Sequence, residues 1–94
     1  MITLIATLKV KEGKIQEAIN ALKEIVPKIK ASEPGCLEYI PHTVRGDENA
    51  IIIYEKYQDK DALKLHSANL MNNMEKLFPL LEPGMDVKTC YEII

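Results

Sequence analysis

The chain has 94 residues, with twelve Lys and Arg against fourteen Asp and Glu for a formal charge of −2, so it is read as one small domain over residues 1–94 that leaves about 35 to 40 % of its unfolded surface exposed after folding. A near balance of charge with a single arginine, Arg45, offers no clustered basic stripe for nucleic acid. No stretch approaches the ~20 apolar residues of a membrane span and Met1-Ile2-Thr3-Leu4 lacks the basic start of a secretory signal, so a cytoplasmic protein with no membrane partner is expected.

Residues 2–11 read as a first strand. Gly13 precedes a helix whose apolar residues Ile15, Ala18, Ile19, Leu22, Ile25, Val26 and Ile29 keep the spacing of one buried face. Pro27 removes the hydrogen bond that would reach Lys23 and is expected to bend or fray the last turn, and Pro34-Gly35 ends the segment. A second strand opens at Cys36 and ends near His42, followed by a turn over Arg45-Gly46-Asp47-Glu48-Asn49 and an Ile-rich third strand to Tyr57. Asp59 stands where a helix N-cap belongs, with Asp61 in the first turn, and the short helix delivers His66 at its far end. The helical region is expected to break near Ser67 and resume through Leu70, Met74, Leu77, Phe78 and Leu81, closed by Glu82-Pro83-Gly84. Met85, Val87, Thr89, Tyr91 and Ile93 then alternate as the last strand.

The order is β-α-β-β-α-β, an α+β ferredoxin-like arrangement with two helices on one face of a four-stranded antiparallel sheet. Its strands are apolar on both faces: Ile5 interrupts the set of Ile2, Leu4, Ala6 and Leu8, and Ile51, Ile52 and Ile53 are consecutive. An antiparallel sheet with one wet face shows cleaner alternation, so a homodimer packed sheet to sheet is expected. Cys36 and Cys90 fall on strands at opposite edges, too far apart for a disulfide within the chain. There is no CxxC, no His pair at helical spacing and no Cys/His cluster, and the glycines at 13, 35, 46 and 84 are isolated, so neither a metal nor a nucleotide, nicotinamide or flavin cofactor is expected.

The chemistry concentrates between Ile51 and His66. Alternation sends Ile51, Ile53, Glu55 and Tyr57 to one face and Ile52, Tyr54 and Lys56 to the other. Glu55 therefore lies among apolar side chains, where an ionisable group has either a partner or a function. His66 reads equally as a base at a pocket mouth or as a cation at a helix C-terminus. His42, after Pro41 near a strand end, reads as an exposed imidazole or a site residue, and Tyr39 and Tyr57 as core residues with satisfied hydroxyls or as substrate contacts. Met71 and Met74 fit helix packing better than a ligand box.

Glu-Pro-Gly-Cys-Leu-Glu-Tyr at residues 33–39, followed by Tyr54-Glu55-Lys56-Tyr57-Gln58-Asp59 and Ala62-Leu63-Lys64-Leu65-His66, resembles the antibiotic biosynthesis monooxygenase family and its small quinol monooxygenase-like members. The opening strand, the Glu12-Gly13-Lys14 helix entry and Ile25-Val26-Pro27 fit the same family, so the likeness spans the chain. It implies a dimeric α/β-barrel and oxidation by dioxygen without an external cofactor. A base would deprotonate a quinol or polyphenol, whose first pKa lies near ~10, inside a dry pocket. That base would be His66, or the pair of Glu55 and His66 with Glu55 orienting the ring, and Tyr57, Tyr39 or His42 would hold the developing oxyanion. Apolar residues of the first and third helices would line the cavity.

Two departures narrow this. Haem-degrading relatives use an Asn on the first strand, a Trp at the end of the short helix and a later His; the matching places hold Ala6 and His66, and no histidine follows residue 66. Many quinol-oxidising and isomerase members carry a Ser/Thr-Pro-His step after the helix histidine, where this chain has Ser67-Ala68-Asn69; Asn69 can donate a hydrogen bond but not exchange a proton. An isomerase of a small hydroxyketone and a dimeric ligand-binding or stress-associated protein without turnover are the alternative readings.

Overall fold

A computed structural model describes residues 1–94. Its elements are β1 (Ile2–Lys9), α1 (Ile15–Ser32), β2 (Cys36–Val44), β3 (Asp47–Tyr57), α2 (Lys60–Asn73), a short 3-10 helix (Phe78–Leu80) and β4 (Asp86–Tyr91). The sheet runs β2-β3-β1-β4 with every neighbouring pair antiparallel, the ferredoxin-like arrangement expected from the element order. Cys36 and Cys90 stand on opposite edge strands, and both thiols are free. No helix is long and apolar enough to cross a membrane.

The period of two sets the inner face. Ile2, Leu4, Ala6 and Leu8 of β1 and Ile51, Ile53, Glu55 and Tyr57 of β3 are buried beneath the helices, joined by Ala18, Leu22, Ile25 and Ile29 of α1. On the outer face the register sets Tyr54 between Ile5 and Ile40, and Ile52 between Thr7 and His42. Of these, Ile5, Ile52 and Tyr54 are only half-buried in the single chain.

Several local expectations are corrected. β1 ends at Lys9, two residues early: the Val10 N–H still donates to Asn49 O of β3 at 2.7 Å, but the Lys11 N–H turns to Leu80 O at 2.8 Å. The β2–β3 turn is not five residues long but Arg45-Gly46 alone, with Gly46 at φ 87°, where a side chain is strained. α1 runs past Pro27 to Ser32, its last turn secured by fully buried Ile29 and by a Glu33 N–H to Ile29 O bond of 2.9 Å. α2 does not break at Ser67. His66 is one of its inward residues, in line with Leu70 and Met74, so the helix continues through a stretch whose Ser67 and Ala68 are exposed. After Asn73 the chain makes a turn and the 3-10 helix rather than a resumed α-helix, with Pro79 in its first turn.

The expected N-cap is present: Asp59 Oδ1 accepts the Ala62 N–H at 2.9 Å. The α1–β2 connection passes directly under this end of α2. A Cβ on Gly35 would lie 2.5 Å from the Ala62 Cβ, so only glycine lets the two segments approach this closely. Ala62 is one turn before His66, and Gly35 is two residues after Glu33.

Candidate active site

Four elements converge at the closed end of the space between sheet and α2. β3 carries Glu55 and Tyr57 on its inner face, α2 carries His66, β2 carries Tyr39, and the C-terminus of α1 carries Glu33. All five are buried, Glu33 at 1 % exposure and Glu55 and His66 at 4 % each. The His66 Nδ1–H donates to Glu33 Oε1 at 2.9 Å, and Asn73 Nδ2 donates to Glu33 Oε2 at 3.0 Å. Both oxygens of Glu33 thus accept, and because a carboxylate only accepts, the proton of the neutral ring is assigned to Nδ1. Nε2 is left with its lone pair. Its nearest carboxylate oxygen is Glu55 Oε1 at 3.7 Å, beyond hydrogen-bond range.

Glu55 is held from its other side by the Tyr57 hydroxyl, which donates to Glu55 Oε1 at 2.6 Å. Burial pushes the Glu55 carboxyl above its ordinary range, opposed by the Tyr57 hydrogen bond and the imidazole and reinforced by the charge of Glu33. Burial, with Glu55 next in effect, pushes the Tyr39 and Tyr57 phenols upward, so both stay protonated donors. The Cys36 thiol is pushed up to about 11 by burial and then by Glu33 and Glu55, which makes it an inert core residue rather than a nucleophile. No side-chain nitrogen or oxygen sealed completely from the surroundings lacks a hydrogen-bond partner, so the unpaired Nε2 of His66 keeps some accessible surface.

Beside this cluster lies a cavity of about 190 Å³. His66, Glu55 and Tyr39 border it together with Leu4, Ala6, Ile53, Leu70, Met74 and Phe78, and Met85 and Val87 complete it from the β4 side. The cavity belongs to α2, the 3-10 helix and the sheet; no residue of the first helix lines it, contrary to the sequence expectation. No three His, Cys, Asp or Glu side chains are arranged to hold a metal ion.

The residues singled out by sequence divide. His66 and Glu55 meet at the cavity and Tyr39 borders it, its ring 5.7 Å from the imidazole. Tyr57 does not reach the cavity: it is fully buried behind Glu55, with its ring 5.1 Å from His66. Asn69 is half-buried on α2 and does not border the cavity. His42 is separate, paired with Ile52 on the outer side of the register and lining a different groove with Lys23, Val26 and Pro41. The helix-end reading of His66 fails, since seven residues of α2 follow it. The carboxylate that orients the ring is Glu33, not Glu55, and neither Glu33 nor Asn73 was singled out. One signal pointed to Glu33: an acid at the C-terminus of a helix opposes the dipole there and needs a compensating partner.

The profile of the family described as antibiotic biosynthesis monooxygenase matches residues 1–70. The chain belongs to this family. The match runs from β1 to Leu70 and therefore contains Glu33, Tyr39, Glu55 and His66. The candidate monooxygenase YcnE of Bacillus subtilis (strain 168) is 33 % identical over 89 residues, covering 93 % of each chain. Among solved structures, a candidate antibiotic biosynthesis monooxygenase from Caulobacter crescentus CB15 superposes with a TM-score of 0.89 at 27 % identity, covering 99 % of this chain and 90 % of that one. One from Nitrosomonas europaea shares the fold over 100 % of both chains, with a TM-score of 0.85 at 16 % identity.

The raised carboxyl of Glu55 has a consequence for stability. A group whose folded pKa exceeds its unfolded value, here 4.5, contributes stability that is complete below the unfolded value and lost as pH rises through the folded one. Glu55→Gln cannot ionise and keeps an oxygen for Tyr57. Thermal melts are expected to show this variant gaining more over the wild type at about pH 8 than at about pH 4; an equal effect at both pH values contradicts the assignment.

Proposed function

We propose that the protein is a cofactor-independent monooxygenase that oxidises a quinol or polyphenol with dioxygen, using His66 as the base. The observation that carries this reading is the imidazole itself: Nδ1 is tied to Glu33 at 2.9 Å, and Nε2 is left unpaired beside an apolar cavity. A general base needs a defined tautomer, a lone pair aimed at the substrate and a water-poor site.

A hydroquinone hydroxyl gives its proton to Nε2, and the imidazolium that forms is flanked by the carboxylate of Glu33. The anion remaining on the substrate is electron-rich enough to pass an electron to dioxygen, and the resulting radical pair combines at ring carbon to a hydroperoxide. Loss of water leaves a hydroxylated quinone. One dioxygen oxygen enters the product and the other leaves as water, with all four electrons drawn from the substrate, so no external reductant is consumed. Tyr39, a protonated donor at the cavity wall, and Glu55 in its neutral form are the groups able to hydrogen-bond the substrate oxygen.

The same reading includes a homodimer packed through the outer sheet face, where Ile5, Ile40, Ile52 and Tyr54 form an apolar centre around β3 and β1. Burial of that centre is favourable at about 25 cal/mol per Å².

Two outcomes test these proposals. In an oxygen-uptake assay on a hydroquinone that turns over, His66→Ala is expected to lower kcat by ~10²- to 10⁴-fold, Glu33→Gln by about tenfold or more, and the double variant no further than His66→Ala, because groups acting as a unit are not additive. A folded His66→Ala protein with unchanged turnover removes His66 as the base. Light scattering at micromolar concentration is expected to report twice the 10.6 kDa chain mass, and Ile52→Lys to abolish the dimer by burying an unpaired charge; a monomeric wild type contradicts the packing.

A further inference from the structure

The cavity has its ionisable groups at its buried end and none at its opening. His66, Glu55 and Tyr39 are buried at its floor, whereas its exposed lining is uncharged: Met85 at 40 % and Val87 at 47 % exposure, with the hydroxyl of Ser67. Pockets that receive a charged ligand usually offer it a cation, yet no Lys or Arg lines this one. On the strands that border it, Lys56 pairs with Glu92 at 2.6 Å on the outer side of β3, and Lys88 of β4 with Asp86 at 3.1 Å. Behind the floor lies the Glu33 carboxylate, paired with the one imidazole.

From this geometry we infer that the cavity admits neutral aromatic alcohols hydroxyl first, rejects an anionic group placed beside that hydroxyl, and tolerates one at the opposite end of the molecule. The inference rests on the reading of this cavity as the substrate site and narrows its substrate class.

Charge conservation separates the two kinds of ligand. When a neutral alcohol passes its proton to Nε2, the site gains an ion pair and its net charge does not change. A carboxylate, sulfonate or phosphate carried in beside the hydroxyl adds a negative charge in a dry environment close to the Glu33 carboxylate, with no Lys or Arg lining the cavity to meet it. At the opening the same group stays in water beyond Met85 and Val87 and loses little solvation. Size fits one substituted ring: an apolar cavity of about 150 Å³ takes up benzene, and this one measures about 190 Å³.

The test is a nuclear magnetic resonance titration of the wild-type protein near neutral pH, following the His66 ring signals, with two matched pairs of probes. Salicylamide and salicylate differ by a charge beside the hydroxyl. Para-ethylphenol and para-hydroxyphenylpropionate differ by a carboxylate at the far end of the chain. Salicylate is expected to bind at least about thirtyfold more weakly than salicylamide, as burying an unpaired charge implies, and para-hydroxyphenylpropionate within about threefold of para-ethylphenol, as a solvated charge implies. Val87→Lys, which puts a cation at the opening, should then raise the preference for para-hydroxyphenylpropionate over para-ethylphenol. Equal binding of salicylate and salicylamide, an equal penalty for the two carboxylates, or no response of His66 to any of the four overturns the inference. If the pattern holds and no quinol consumes oxygen, the oxidation mechanism alone fails.

Discussion

The close approach of the α1–β2 connection to the first turns of α2 is the constraint on which the site depends. With hydrogen in place of a side chain at Gly35, backbone meets the Ala62 methyl, and a Cβ there would sit at 2.5 Å. The Cys36 N–H to Glu33 O bond and the Gln58 N–H to Gly35 O bond, both 2.9 Å, fix the connection to itself and to the end of β3. Glu33 and His66, 33 residues apart in the chain, are thereby held at hydrogen-bond distance. The helix that carries the imidazole and the segment that carries its carboxylate are positioned by one contact, so the orientation of the ring follows from the fold itself.

Keeping two carboxylates and an imidazole out of water is costly, and a set of apolar residues of the same volume would serve stability as well or better. Here the cost is limited because each of the three groups has at least one hydrogen-bond partner. Glu33 accepts at both oxygens, Glu55 accepts from Tyr57, and Glu55 is further relieved by its raised carboxyl, which favours the neutral form. The one nitrogen without a hydrogen bond is His66 Nε2, and it belongs to a residue that borders the cavity. The side-chain groups of the cluster without a hydrogen bond, His66 Nε2, the Tyr39 hydroxyl and Glu55 Oε2, all belong to residues that border the cavity, the arrangement expected of a site whose ligand supplies the missing partners.

The element order, the inner face of β3 and the Asp59 cap were legible in the sequence because each rests on local periodicity or a single capping side chain. The course of α2 was not, because the inward stripe passes through His66, and a polar residue counts against a core face until its partner is known. Glu33 was hidden for a related reason. Glu-Pro-Gly reads locally as a helix stop, and its function depends on a contact across 33 residues that no spacing rule anticipates. His42 and Tyr57 show the reverse, since residue type suggested chemistry while the fold puts one at a separate groove between α1 and β2 and the other behind Glu55.

The central claim is that Glu33 holds the proton of His66 on Nδ1 and leaves Nε2 as a base facing the cavity. Nitrogen NMR of the His66 side chain measures this directly in the wild-type protein. The account predicts, above the pH where the ring loses its second proton, an unprotonated pyridine-type Nε2 signal and a protonated Nδ1, with that preference lost in Glu33→Gln. A ring protonated at Nε2, or one averaging freely between the two forms in the wild type, would contradict it.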